Sequence, residues 1–216
     1  MNETPSIDRT FLCVLPAFIS FCCLICSCNQ RDPPANNKIT ILPSTQHVLP
    51  DPGGVAIDKS PMDMAYYPVD YPKEKMVKTT NEQLIARLIY SRPKKDKRII
   101  FGDVIKYGSP WRLGANEATE IEFFKNVTIQ NQKIAQGRYV LYCIPYPDKW
   151  RLILNNDLFT WGLKFDSTRD VYQFTVPVQK SDVPFERFTM EFEKASTGMQ
   201  LHIAWDSLHA DVPILF

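Results

Sequence analysis

This chain of 216 residues is short of several things, and each shortage excludes something. Charge of one sign is not in excess: 25 Lys and Arg face 24 Asp and Glu, for a formal net charge of +1. No run of like charge is long enough to make a patch, so neither nucleic acid nor a polyanionic partner is indicated. Cysteine is nearly missing from the body of the chain. Cys13, Cys22, Cys23, Cys26 and Cys28 sit at the N-terminal end, which leaves Cys143 alone. A disulfide framework is thereby excluded there. Cys143 lies in the apolar run 139–144, where a small buried residue is the expected role. No His is near it in sequence to make it a nucleophile. Glycine is scarce (8) while proline is abundant (17) and concentrated before residue 73, which marks a boundary. There is no G-x-S-x-G, no H-E-x-x-H, no P-loop and no dinucleotide fingerprint, so no cofactor is indicated. His202, Asp206 and His209 form an H-x3-D-x2-H grouping. Metal motifs are far more tightly spaced, and no metal site is assigned.

Long hydrophobic runs are also missing. The longest, residues 11–26, is broken by Pro16 and Ser20. A spanning helix needs about 20 apolar residues, so this length fits the apolar region of a signal peptide instead. The preceding residues are atypical, with Arg9 offset by Glu3 and Asp8. The run ends in Ile25-Cys26-Ser27-Cys28, which resembles a bacterial lipobox and predicts lipidation at Cys28. A plain cleaved signal and an uncleaved anchor are the alternatives. Residues 1–28 are therefore read as a lipoprotein signal peptide. Residues 29–78 read as a Pro-rich tether with a turn at 51–54, too poor in apolar residues to fold alone. Within it, residues 62–71 are more apolar and are expected to dock on the domain.

Residues 79–216 form the predicted domain. Residues 81–90 fit either a helical face or a strand, and the downstream pattern favours strand. Thr119, Ile121 and Phe123 alternate with Glu120 and Glu122, as in a strand with one wet face. Further strands are expected at 126–129, 133–134, 138–144, 150–154, 171–178, 188–193, 199–205 and 212–216. Turns are expected at 130–132, 135–137 and 195–198. Short strands at 8–12-residue spacing with no long helix point to an all-β fold, an antiparallel β-sandwich or jelly-roll-like single domain.

The stretch 107–119 contains Gly108, Pro110, Trp111, Arg112, Gly114, Asn116 and Glu117. It is too polar and irregular for a core strand. The set Tyr90-Ser-Arg-Pro93, Ile100-Phe-Gly-Asp103, Tyr107-Gly, Trp111-Arg-x-Gly-Ala-Asn-Glu-Ala-Thr119, Gly137-x-Tyr-x-Leu, Ile144-Pro, Trp150…Asn155 and Trp161-Gly resembles the domain-of-unknown-function family 2911 over about residues 60–216. The resemblance implies an exported, Bacteroidetes-type bacterial protein, often lipid-anchored. It implies no established activity, so no catalytic residue is carried over. Cys143 departs from the pattern, where a different residue is expected.

In chemical terms Arg112 is a planar donor suited to carboxylate, phosphate or sugar hydroxyl. Asn116 donates and accepts, Glu117 accepts, and Trp111 offers a stacking face. Together they are candidate binding residues on a functional loop. The alternative is structural: Gly114 and Asn116 supply positive φ, Arg112 pairs with Glu117, and Trp111 is core. Trp111, Trp150, Trp161 and Trp205 could stack on sugars or fill a core. Three functional readings follow. The first is a binding or assembly module for a small polar ligand or glycan, anchored by lipid to a bacterial membrane in the cell envelope. The second is an envelope or polysaccharide hydrolase using Glu117 or Asp103. The third is a purely structural lipoprotein.

Overall fold

A computed structural model describes residues 58–79 and 81–216. The signal peptide, Cys28 and the turn at 51–54 lie outside the described residues. Alternation of apolar and polar residues builds strands because successive side chains point to opposite faces. Among the described residues ten strands result: β1 (Met62–Tyr67), β2 (Ala86–Ser91), β3 (Glu120–Phe123), β4 (Val127–Ile129), β5 (Gln132–Ile134), β6 (Gly137–Pro145), β7 (Lys149–Asn155), β8 (Asp170–Pro177), β9 (Gln179–Ala195) and β10 (Gly198–Ile214). Among the described residues the α-helix α1 (Tyr71–Met76) buries none of its residues.

Six strands form one antiparallel sheet in the order β1-β2-β3-β6-β7-β8. Apart from the β4–β5 hairpin, which stands out of the sheet, each strand lies beside its neighbour in sequence. The order is thus a meander rather than the crossed order of a jelly roll. The second layer is the long β9–β10 hairpin. Leu88, Ile121, Leu141, Leu152 and Phe174 of the sheet share one core with Phe188, Met190, Phe192, Leu201 and Ile203 of the hairpin. The fold is all-β and sandwich-like, as the alternation predicts. Residues 86–90 are strand as expected, while 81–85 are not.

Two boundaries differ from the sequence reading. Strand β1 pairs with β2 along its whole length, from Met62 opposite Ser91 to Tyr67 opposite Ala86. The folded body therefore starts before residue 79, inside the stretch read as tether. The apolar residues noted at 62–71 had a sheet edge to complete. At the other end, the two strands expected at 199–205 and 212–216 are one. Up to Ile203 the inward residues are odd-numbered (Met199, Leu201, Ile203). From Leu208 they are even-numbered (Leu208, Ala210, Val212, Ile214). Register shifts flank Asp206, whose φ is 52°. A bulge inserts the extra residue that flips this phase, so a 17-residue strand keeps one face in the core.

Edge strand β8 is capped by side chains. Gln130 Nε2 donates to Thr175 O (2.5 Å), Thr175 N donates to Gln130 Oε1 (3.3 Å), and Gln132 Nε2 donates to Gln173 O (2.8 Å). These bonds occupy backbone groups that would otherwise template another strand. The turn that presents them, Gln130-Asn131, has φ of 47° and 64°, the two positive values of a tight two-residue hairpin turn.

Burial raises the phenol pKa of Tyr67, Tyr90, Tyr139 and Tyr142 above the ordinary 10.0, and for Tyr142 the hydrogen bond to Asp170 adds to it. Burial likewise pushes the Cys143 thiol up. A raised pKa means that the folded state holds its proton longer than the unfolded chain does. The stability linked to these groups is complete below the unfolded pKa values and is lost as pH rises through the folded ones. The melting temperature should therefore fall once the pH passes about 9–10, where thiols and phenols of an unfolded chain ionise. A thermal-melt series from neutral to alkaline pH checks this, and a flat profile would refute it.

Candidate functional site

The stretch 107–119 does two jobs. Trp111 exchanges a pair of backbone hydrogen bonds with Cys143 of β6 (2.7 and 2.8 Å), and Leu141 N donates to Thr119 O (2.9 Å). Trp111 and Thr119 thus act as strand partners of β6 beyond the end of β3. The seven residues between them, 112–118, leave the sheet as a loop. Its shape is set by Leu113 and Asn116 at φ 54° and 60° and by Gly114 at φ 144°. Ser91, fully buried at the end of β2, grips it: Ser91 Oγ donates to Ala115 O and accepts from Ala115 N (2.6 Å). Thr119 Oγ1 donates to Leu113 O (2.6 Å).

Trp111 does not present a stacking face. It is buried, with ring centroids 5.1 Å from Phe188, 5.8 Å from Phe101, 5.9 Å from Trp150 and 6.0 Å from Trp205. It is the aromatic bolt between sheet and hairpin. Its position opposite Cys143 turns it inward and decides for the core reading over the stacking one. Arg112 is likewise committed. Its Nη1 donates to the backbone carbonyls of Asn116 and, at 2.7 Å, Trp161, and its guanidinium lies 5.9 Å from the Trp161 ring. Burial lowers its pKa. Arg112 thus clamps loop 112–118 to the loop after β7, and no Arg112–Glu117 ion pair forms among the described residues. Ala118 N donates to Thr160 O (3.1 Å), completing the clamp. At Gly162, φ 73°, an added Cβ would come within 3.0 Å of the Cβ atoms of Arg112 and Ala118. The backbone approach there requires glycine. Asn116 Nδ2 donates to Asp58 Oδ2 (2.5 Å) and Ser60 O (3.2 Å), tying in the segment before β1.

Of the four residues singled out in this stretch, Glu117 alone faces a groove. The groove, about 380 Å³, is lined by Met62, Ile89, Glu117, Ala118, Glu120, Phe159, Thr160 and Trp161. Phe159 is 82% exposed and Trp161 49%. Phe159 has φ 62°, uncommon for a bulky residue, and its N–H donates to Glu120 Oε1 (3.3 Å). The Arg138 guanidinium lies 5.9 Å from the Phe159 ring and 3.7 Å from Glu120 Oε2. Thr160 Oγ1 is buried and has no hydrogen-bond partner. Phe159 and Thr160 were missed by sequence reasoning. Their signal was the exposed aromatic pair in a long loop, readable only with Glu117 beside it.

Other sequence candidates are placed elsewhere. Asp103 pairs with Lys106 across an exposed turn (3.5 Å) and does not line the groove of Glu117, so the carboxylate pair suggested for hydrolysis does not share a cleft. His202 Nδ1 lies 2.7 Å from Asp211 Oδ1 and its ring 5.4 Å from that of His209, while Asp206 pairs with Lys95. Among the described residues no group of three or more His, Cys, Asp and Glu could hold a metal ion. No helix among them is long and apolar enough to cross a membrane.

The fold and groove define an all-β, sandwich-like domain with an aromatic–carboxylate groove on the outer face of its sheet. The chain belongs to the family described as "Protein of unknown function (DUF2911)", whose model matches residues 72–214. No curated protein and no solved structure matches it.

Proposed function

We propose that this protein is a binding module whose groove takes a small polar ligand or glycan, with Trp161 and Phe159 as stacking faces and Glu117 and Glu120 as hydroxyl acceptors. One observation carries this reading: two exposed aromatic rings stand beside two carboxylates and an unpartnered Thr160 hydroxyl in one groove. Clefts of this kind combine apolar shelves with a few polar groups that fix orientation. Arg112, Asn116 and Trp111 act behind the groove as clamp, tie and core, so their part in binding is to hold Trp161 and Glu117 in place. The test is a fluorescence and thermal-shift titration with neutral sugars, oligosaccharides and amino acids. Trp161→Ala and Glu117→Gln should each weaken the response roughly tenfold, in line with a lost stacking or hydrogen-bond contact of about 1–1.5 kcal/mol. Both residues are away from the core, so the melting temperature should stay close to wild type. A wild type that responds to none of these ligands, or variants that respond as it does, would overturn the reading.

We infer further that the module is held at a bacterial envelope membrane by a lipid on Cys28. The support is the apolar run ending in Ile25-Cys26-Ser27-Cys28. Cys28→Ser should move the protein from the membrane to the soluble fraction and abolish labelling by a fatty-acid analogue. Retention with the membrane would refute the anchor.

A further inference from the structure

A second cleft, on the side of the molecule where the described chain begins, is built from residues 58–61, the 94–98 segment and Arg187. We propose that it binds a phosphate-type oxyanion, carried by a soluble phosphorylated compound or by a lipid headgroup. The cleft has a volume of about 750 Å³. Lys59, Lys94, Arg98 and Arg187 line it against Asp58 and Asp96. These cations are scattered over more than a hundred residues of sequence, so no charge run announces them.

Pairing brings them together. Lys95 N donates to Glu186 O (2.6 Å) and Phe188 N to Pro93 O (3.0 Å), so residues 93–95 run antiparallel to residues 186–188. Lys94 is then bridged directly to Arg187. Directly opposite residues hold their Cβ atoms about 5 Å apart on one face, and like charges there repel. A built-in repulsion of this kind is relieved by an anion between them. The neighbouring cation is treated differently: Lys95 is paired with Asp206 of the hairpin. Among the described residues, Lys59, Lys94, Arg98 and Arg187 have no carboxylate oxygen within the 4.0 Å of an ion pair.

Arg98 is held in place without being neutralised. Its Nε donates to Lys95 O (2.9 Å) and its Nη2 to Lys94 O. The turn it closes carries Asp96 and Lys97 at φ 49° and 60°, with Arg98 N donating to Lys95 O (3.1 Å). Two successive left-handed residues closed by that bond make a tight turn of the same kind as Gln130-Asn131. On the opposite wall, Arg92 N donates to Pro61 O (2.9 Å) and fixes the segment carrying Lys59. The Asp58 carboxylate is occupied on both oxygens, by Ser60 N (2.8 Å) and by Asn116 Nδ2. Two guanidinium groups and two ammonium groups stand against the carboxylates of Asp58 and Asp96 and the adjacent Glu186, whose Oε1 accepts from Asp96 N (3.1 Å), and this still leaves a net positive cleft. Guanidinium forks match phosphate geometry, and lysines add point charge.

The test uses the full chain. Inorganic phosphate and glycerophosphate are titrated by calorimetry. In parallel, the protein is sedimented with phosphatidylcholine vesicles with and without phosphatidylglycerol. Vesicle capture that depends on phosphatidylglycerol reports charge and not the N-terminal apolar run. The proposal expects binding of at least one of these phosphates, weakened by salt. The double variant Lys59→Gln/Lys94→Gln, whose side chains are exposed, should bind roughly tenfold more weakly, the loss expected for charge-assisted contacts. Arg187→Gln should do the same, while Lys133→Gln and Trp161→Ala leave phosphate binding unchanged. Soluble phosphates alone binding identifies a phosphorylated solute, and phosphatidylglycerol dependence alone identifies a headgroup; both support the site. No binding of any phosphate, or binding that survives both the double variant and Arg187→Gln, overturns it. Because Trp161→Ala touches only the groove, failure of the groove reading and failure of this one are separable.

Discussion

Trp111→Ala is expected to destabilise the domain by about 3–5 kcal/mol, the range for removing a large buried aromatic. For a domain of this size that is a fall of roughly 10 °C in melting temperature. The ring touches Phe101, Trp150, Phe188 and Trp205, so its loss opens a cavity at the junction of sheet and hairpin. Its backbone bonds to Cys143 do not depend on the side chain and should persist, so the fold is expected to weaken without rearranging. Chemical denaturation with matching far-ultraviolet spectra measures this. A variant that keeps its stability but loses ligand binding would show that Trp111 is a contact residue and would refute its place in the core.

Gly114→Ala is expected to cost about 2–4 kcal/mol, the sum of one strained backbone angle and one overpacked contact. Its Cβ would lie 2.8 Å from Ser91 Oγ and 2.9 Å from Ser91 O, at a φ of 144° that side chains avoid. One of those neighbours is backbone of β2 and cannot step aside. Relief would have to come from loop 112–118, which would loosen the Arg112 clamp and with it Trp161 and Glu117. Gly114→Ala should therefore lower both stability and the groove's ligand response, whereas Trp161→Ala lowers the response alone. Measuring the two variants side by side separates the loop's scaffolding role from the groove's contacts. A Gly114→Ala protein as stable as wild type would refute the close approach.

Much of the architecture was written locally. The alternation at Glu120–Phe123, the Gln130-Asn131 turn and the periodic runs at 171–178 and 188–193 needed only a chain's own period to be read, because strand geometry is set residue by residue. The family signature was legible for the same reason: it is a pattern along the chain. What the sequence could not settle was which way a side chain faces and whom it meets. Trp111 could be read as a stacking face or as core, and its pairing with Cys143, 32 positions on, decided for core. Arg112 could be read as a ligand donor or as the partner of Glu117, and it is a clamp on two backbone carbonyls instead, one of them 49 residues away. The bulge at Asp206, which joins two expected strands into one, exists only because the hydrophobic face of β10 has to keep meeting the sheet.

The stretch 107–119 shows the division most clearly. Its composition marked it as the irregular centre of the domain, and its glycine and asparagine announced positive φ. The structure made its two ends strand partners of β6 and left the loop between them to carry Glu117 to a groove with Phe159 and Trp161. Backbone conformation is short-ranged and can be read from neighbours in sequence. Burial and partnership are long-ranged, decided by packing between segments that the sequence holds far apart.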